Sequence, residues 1–212
     1  MNRVFANIYR MTHIENIPHI LQYGITHRLS QNSNPNYRAI GDTSLIDFRN
    51  QKHVIVKGKD INLGDYIPFY FGVRMPMLYV VQHGGNYVPH PTKARDIVYV
   101  VVSIDKILKD GNISFFFSDG HATDYLTKFY TKDDIQQISE ILDRKAILAR
   151  QWSGENIDRD IKRRKQAEFL VKQDIPHEYI VGYVCYNDTA KAKLLAWNIP
   201  DEIIRVKPTA YY

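Results

Sequence analysis

The stretch Lys162-Arg163-Arg164-Lys165-Gln166-Ala167-Glu168-Phe169-Leu170-Val171 concentrates the chain's most reactive pattern. Four cations precede one carboxylate, and the carboxylate precedes an apolar run. Glu168 thus stands at the mouth of a strand with positive charge close by. Nearby cations favour the ionised form of a carboxylic acid, which suits a general base or an acceptor for a sugar hydroxyl. The same residues equally allow a plain ion pair at a strand end, which contributes little. Other candidates are ambiguous one by one. His13 fits a turn or helix cap, Arg49 fits a surface ion pair, and Tyr66-Ile67-Pro68-Phe69-Tyr70-Phe71 fits a core strand. The exclusions are firmer. The eight His residues lack metal-ligand spacing, and the single cysteine, Cys185, rules out a disulfide or a cysteine cage. No Walker loop, Gly-x-Gly-x-x-Gly turn or Gly-x-Ser-x-Gly elbow occurs. NAD binding by a fold without those loops stays open.

These residues need elements to position them. A first strand is expected at 3–10. A short helix follows at 17–23, because Asn16 as N-cap would leave Pro18 in the tolerated first turn and Gly24 at the helix end. Residues 26–47 read as a long polar loop ending at Ile46-Asp47-Phe48-Arg49, and such loops are usually functional or mobile. Pro68 demotes the 66–71 strand to an edge or an irregular segment. Pro76 opens a helix to about residue 82, and a loop covers 86–93. The run 97–104 is the clearest strand, β-branched and buried on both faces. Further strands are expected at 114–117, 167–171, 179–186 and 203–207, and helical segments at 123–129, 133–151 and 189–195. Of these, 133–151 has the best helical spacing, through Ile135, Ile138, Ile141, Leu142 and Ala146.

A chain of 212 residues with 44% hydrophobic and 24% charged residues is ordinary globular composition for one domain. No repeat or linker interrupts it, so one α+β domain over 1–212 is expected. The net charge of +5 suits a polyanionic partner such as nucleic acid. Fifteen tyrosines supply stacking faces. The N-terminal residues lack the apolar core of a signal peptide, and no apolar run is long enough to span a bilayer. A soluble, cytoplasmic protein is the expectation.

Four blocks together carry a resemblance. Thr12-His13-Ile14-Glu15-Asn16-Ile17, with Ile20-Leu21 and Gly24, resembles the NAD-binding element of the DarT-type DNA ADP-ribosyltransferase toxins. Ile67-Pro68-Phe69-Tyr70-Phe71, with Arg74 and Pro76-Met77-Leu78-Tyr79, is similar to their central signature. Ser118-Asp119-Gly120-His121-Ala122 and Arg163 to Val171 resemble the two later ones. The blocks fall in family order and span about 8–186. The resemblance implies an ADP-ribosyltransferase fold of two small, mostly antiparallel sheets flanked by helices, with NAD in the cleft between them. It implies a toxin that moves ADP-ribose from NAD onto a base of single-stranded DNA, thymine above the alternatives of guanine, RNA or protein, without a metal. A macrodomain antitoxin would remove the mark. A nucleic-acid-binding module without catalysis is the reading from another class.

By the family pattern Glu168 and Arg49 are catalytic. His13, Asn16 and Gly24 line the NAD site, with Tyr70, Met77 and His121 near the nicotinamide or the target base. The chemistry needs these types. A carboxylate can hold a ribose hydroxyl, face the positive charge that builds on the ribose, and take the proton of an attacking ring nitrogen. An arginine beside a base carbonyl stabilises the charge left on the base and cannot lose its own proton. Arg144, Lys145, Arg150, Lys162, Arg163, Arg164 and Lys165 are expected to meet phosphates.

Overall fold

The computed structural model describes residues 5–85, 88 and 90–212. The start of the expected 3–10 strand, the N-terminal end read for a leader and part of the 86–93 loop lie outside the described residues.

Strand β1 (Asn7–His13) passes through a single 3-10 turn into α1 (Ile17–Tyr23). An irregular segment leads to α2 (Thr43–Gln51), a hairpin of β2 (His53–Val56) and β3 (Lys59–Asn62), then β4 (Ile67–Tyr70) and α3 (Pro76–His83). Next come β5 (Ile97–Ser103), α4 (Ile104–Lys109), β6 (Phe115–Ser118) and β7 (Phe129–Thr131). Three short helices, α5 (Ile138–Ile141), α6 (Arg144–Leu148) and α7 (Ile161–Lys165), precede β8 (Glu168–Val171). The chain continues through β9 (Ile180–Cys185), α8 (Asp188–Ala196) and β10 (Ile204–Val206).

The main sheet has the order β10-β9-β5-β1-β4-β8-β6-β7. Only β9 and β10 run parallel; the other neighbours are antiparallel. Its two halves meet at one registered pair, Tyr9 opposite Tyr70, whereas β1 pairs with β5 along its whole length. The two small sheets expected from the sequence are thus joined at a seam, and the splay of β1 from β4 opens a cleft along it. On β5 the side chains alternate between two cores. Val98, Val100 and Val102 join Ile8, Phe69, Phe117 and Phe169, while Ile97, Tyr99 and Val101 join Leu78, Val81 and Tyr211. Each fully buried aliphatic side chain contributes about 1.5–3 kcal/mol, so β5 anchors both layers.

Three local expectations are corrected. β4 is a central strand despite Pro68, which sits opposite Leu170 in the β8 register. The N and C=O of one strand residue point to the same side, and the Pro68 carbonyl accepts from Arg10 Nη1 of β1 at 2.9 Å. The missing N–H therefore faces the seam, where the ladder is already open, and costs no pairing with β8. The 133–151 helix is broken into a 3-10 turn, α5 and α6. Leu142 is extended (φ −88°, ψ 131°), and the Asp143 carboxylate accepts from Ala146 N–H at 2.9 Å to cap α6. Such a local side-chain bond competes with helix continuation, and Ile135, Ile138 and Leu142 still reach the core. The helix expected at 123–129 is a set of turns leading into β7. Among the described residues no helix is long and apolar enough to cross a membrane.

Candidate active site

Glu168 opens β8 opposite Tyr70 and is completely buried. Its N–H donates to Ser118 Oγ at 3.2 Å, and Ser118 Oγ donates to the Gly120 carbonyl at 2.7 Å. Its Oε1 accepts from the Ala122 N–H at 2.8 Å and from Arg49 Nη1 at 3.1 Å. Oε2 lies 3.0 Å from Arg49 Nη2, but too obliquely for a hydrogen bond, so both atoms are buried without a hydrogen-bond partner. The forked pair reaches the second cavity through Arg49, which lines it.

Arg49 comes from α2, not from the end of a loop as the sequence implied. The local signal was Asp42, whose side chain accepts from Leu45 N–H at 3.0 Å as the N-cap. None of the residues of α2 is buried. Asn62 Nδ2 holds the Asn50 carbonyl at 3.1 Å, and Leu63 N–H holds that of Lys52 at 2.9 Å. The helix is fixed by its ends and by the ion pair, not by an apolar face.

Three cavities follow the seam. The first, about 190 Å³, is lined by Arg10, Asn16, Gly24, Tyr37 and neighbours. The second, about 150 Å³, shares Arg10 and Tyr37 with it and adds Arg49, Tyr70, Met77 and His121. The third, about 540 Å³, shares Leu45, Met77 and His121 with the second and adds Trp152, Arg159 and Lys162. Arg10 therefore stands at the waist between the first two. No described carboxylate pairs with it, and only its Nη1 is engaged, on the Pro68 carbonyl. Burial, then the nearby Glu168 charge, holds the Tyr70 hydroxyl well above its ordinary range, so it stays protonated. Burial depresses the His121 imidazole against the opposing pull of Glu168, leaving it neutral at pH 7, with Nδ1 2.7 Å from Thr123 Oγ1.

Among the residues singled out from sequence, Glu168, Arg49, Tyr70, Met77 and His121 come together. Asn16 and Gly24 line the first cavity by building its wall. Asn16 holds the N-cap position of α1, as read from the sequence, but its side chain makes no cap bond there. Its amide donates to Thr12 Oγ1 and the Arg38 carbonyl, both at 2.9 Å, and its oxygen accepts from Arg38 N–H at 2.9 Å. This buried amide fastens the 26–42 segment across the cleft. Gly24 has φ +77°, and a Cβ there would overlap the Ile175 carbonyl. Glycine thus lets the end of α1 close against the chain before β9. His13 lies outside the three cavities; its Nδ1 accepts from Glu15 N–H at 3.1 Å and caps the turn before α1.

The basic residues separate. Arg163 is bound by Asp119 and Asp160. Arg164 is bound by Asp143, Asp158 and Asp160. Lys165 is buried and donates to the Ile147 carbonyl at 2.9 Å, and burial brings its pKa down to about 8. These three are committed inside the protein and do not stand as open phosphate contacts. Lys162 lies over the Trp152 ring at 5.5 Å, at the third cavity. Arg144, Lys145 and Arg150 are exposed. Arg10, Tyr37, Trp152, Arg159 and the Ala122 N–H were not singled out from sequence, because only the folded seam brings them to the cleft. Among the described residues no three His, Cys, Asp or Glu side chains gather as metal ligands.

The family model described as "ssDNA thymidine ADP-ribosyltransferase, DarT" matches residues 9–212. A DNA ADP-ribosyl transferase of Thermus aquaticus is 31% identical, covering 97% of this chain and 88% of that protein. The structure of Thermus sp. 2.9 DarT with ADP-ribosylated ssDNA superposes with TM-score 0.82 at 26% identity, covering all of both chains. The same protein with NAD+ gives 0.78 at 25% identity. A Thermosipho africanus DNA ADP-ribosyl transferase–DNA ADP-ribosyl glycohydrolase fusion protein is 27% identical over 98% of this chain, which spans 50% of it.

Proposed function

Because the chain belongs to the DarT family of ssDNA thymidine ADP-ribosyltransferases, we propose that it transfers ADP-ribose from NAD to thymine in single-stranded DNA, with Glu168 and Arg49 as its catalytic pair. NAD-dependent modification of DNA is the family's activity, and NAD acts as co-substrate. The observation that carries the reading is a completely buried carboxylate, Glu168, paired through both oxygens with the guanidinium of Arg49, which lines the second cavity.

The residues present fit a dinucleotide. Two cavities meet at Arg10, a guanidinium that no carboxylate among the described residues pairs, where a diphosphate between two nucleoside halves would lie. Bound NAD supplies a ribose whose bond to nicotinamide breaks with positive charge building on the sugar. Glu168 holds the ribose by a hydroxyl, opposes that charge in a site shielded from water, and accepts the ring N–H proton of thymine. Arg49 donates to the thymine carbonyl and stabilises the charge left by deprotonation. His121, neutral, and Met77 bound the space between the second and third cavities, where a base leaving its strand would enter. Lys162 on Trp152, with Arg159, gives the strand a cation and a stacking face.

We assign the transferase to the cytoplasm, where NAD and DNA meet, as a toxin. Its opposing partner is a macrodomain glycohydrolase; the Thermosipho relative joins transferase and glycohydrolase in one chain. The deciding experiment incubates the protein with NAD and single-stranded oligonucleotides of defined composition, with a chelator present. A mass gain of one ADP-ribose on thymine-containing strands alone is expected. Modification of guanine, RNA or protein instead would overturn the assignment.

A further inference from the structure

We infer that Arg163 is a positioning residue for Glu168, acting through the 118–127 turn, and not a phosphate ligand. The inference rests on the reading of Glu168 as catalytic.

The turn between β6 and β7 supplies two of the contacts that hold Glu168. Ser118 Oγ receives its N–H, and Ala122 N–H reaches Oε1 at 2.8 Å. The same turn delivers His121 to the cleft. Among the described residues Ala122 is the one side chain of this segment past Ser118 that joins a core cluster; the other ties are polar, and they converge on Arg163. Its Nη1 donates to Asp119 Oδ1 at 2.9 Å and to Thr127 Oγ1 at 3.4 Å, bridging the two ends of the turn. Thr127 Oγ1 in turn donates to the His121 carbonyl at 2.8 Å. The Arg163 carbonyl accepts from His121 N–H at 3.0 Å, one residue before the Ala122 donor. Asp160 holds the other edge of the guanidinium, from Nε at 2.7 Å and Nη2 at 2.8 Å. A Cβ at Gly120 would overlap both Arg163 Nη1 and Thr127 Oγ1, so glycine lets the guanidinium lie directly against the turn.

This arrangement also argues against the alternative. Arg163 borders the third cavity, but four of its five N–H donors are already spent within the protein. One Nη2 N–H is left, and a phosphate taking a second N–H would have to displace Asp160, Asp119 or Thr127. The guanidinium fork spans Asp160, Asp119 and Thr127 at once, which a lysine ammonium cannot reproduce. A carboxylate displaced by about 1 Å can lose about a hundredfold in rate.

The test compares R163A, R163K and T127V with wild type on oligonucleotide modification, at a temperature where each is folded. D143N, which removes a partner of Arg164 on the same helix, reports general loosening of α7. R163A and R163K should lower kcat by about 10–100-fold, and T127V about 10-fold, with KM for NAD and DNA and the salt dependence of DNA binding unchanged. D143N should stay within twofold. If R163A does not fold, R163K and T127V decide. Kcat within twofold of wild type in R163K and T127V would overturn the inference. So would a raised KM for DNA with a shallower salt dependence and full kcat, which marks a phosphate ligand. Wild-type protein that modifies no DNA would instead sink the functional reading itself, and this inference with it.

Discussion

Arg49 and Glu168 are 119 positions apart, yet two guanidinium nitrogens of one lie 3.1 and 3.0 Å from the two carboxylate oxygens of the other. The contact ties an exposed helix to a completely buried strand end. Because α2 buries no residue, this fork does much to set where the helix sits over the second cavity. The carboxylate and the cation thereby share one small space, the cation lining the second cavity and the carboxylate buried behind it.

Glu168→Gln keeps the shape and the acceptor for Ala122 N–H but removes the charge. Transfer should slow at least about a hundredfold, the lower range for a general acid–base group, while NAD and single strands still bind. Melting should fall, since Arg49 loses its counter-ion; the loss stays below the roughly 3–5 kcal/mol of breaking a fully buried pair, because α2 can lift into water. Thermal melting, NAD titration and oligonucleotide modification check this together. A rate within a few-fold of wild type would remove Glu168 from the mechanism.

Arg49→Ala should melt cooperatively, since no core packing depends on α2, and should transfer no measurable ADP-ribose. Arg49→Lys should also fail, because one ammonium cannot span both oxygens as the guanidinium does. A lysine variant at wild-type rate would show that charge alone suffices.

Arg10→Ala tests the waist of the cleft. A charge-assisted hydrogen bond to a diphosphate contributes about 1.5–3 kcal/mol, so KM for NAD should rise about 10–100-fold with kcat less affected. An unchanged KM would place the diphosphate elsewhere.

Neutralising Arg159 and Lys162 together should flatten the salt dependence of single-strand binding. Each phosphate contact adds about 0.7 to the log–log slope, so the double variant should lose about 1.4. Lys165→Met should leave the slope where it is, since Lys165 is buried on the Ile147 carbonyl. Binding measured from low to moderate salt separates the two.

Lys165 also gives a pH signature. Its pKa is lowered by burial from 10.5 to about 8 in the folded chain. Between those values the unfolded chain holds a proton that the folded chain has released, so stability gained from this group rises with pH across that window, by about 3 kcal/mol in total. Below about pH 8 the folded protein carries the full burial cost of the charge. Denaturant unfolding at pH 7.5 and 10, compared between wild type and Lys165→Met, should show the variant lacking this rise. Parallel changes in both proteins would reject it.

The sequence by itself determined what depends on near neighbours. Pro18 and Gly24 bound α1, whose range is 17–23 as read. The β-branched run at 97–103 gave a strand buried on both faces. Glu168 stands at the mouth of a strand, and the order of the four blocks pointed to the family. Tertiary structure decided what depends on distant partners. Lys162, Arg163, Arg164 and Lys165 look alike as letters, but α7 turns about 100° per residue. One therefore faces the ring of Trp152, two face carboxylates and one faces the core. Asp143 broke a well-patterned helix because its carboxylate found the Ala146 N–H. Pro68 entered a central strand because β1 had already parted from β4 there. Arg49 found Glu168 because α2 crosses the seam, a meeting set by the closing of the chain and by nothing within reach of either residue along it.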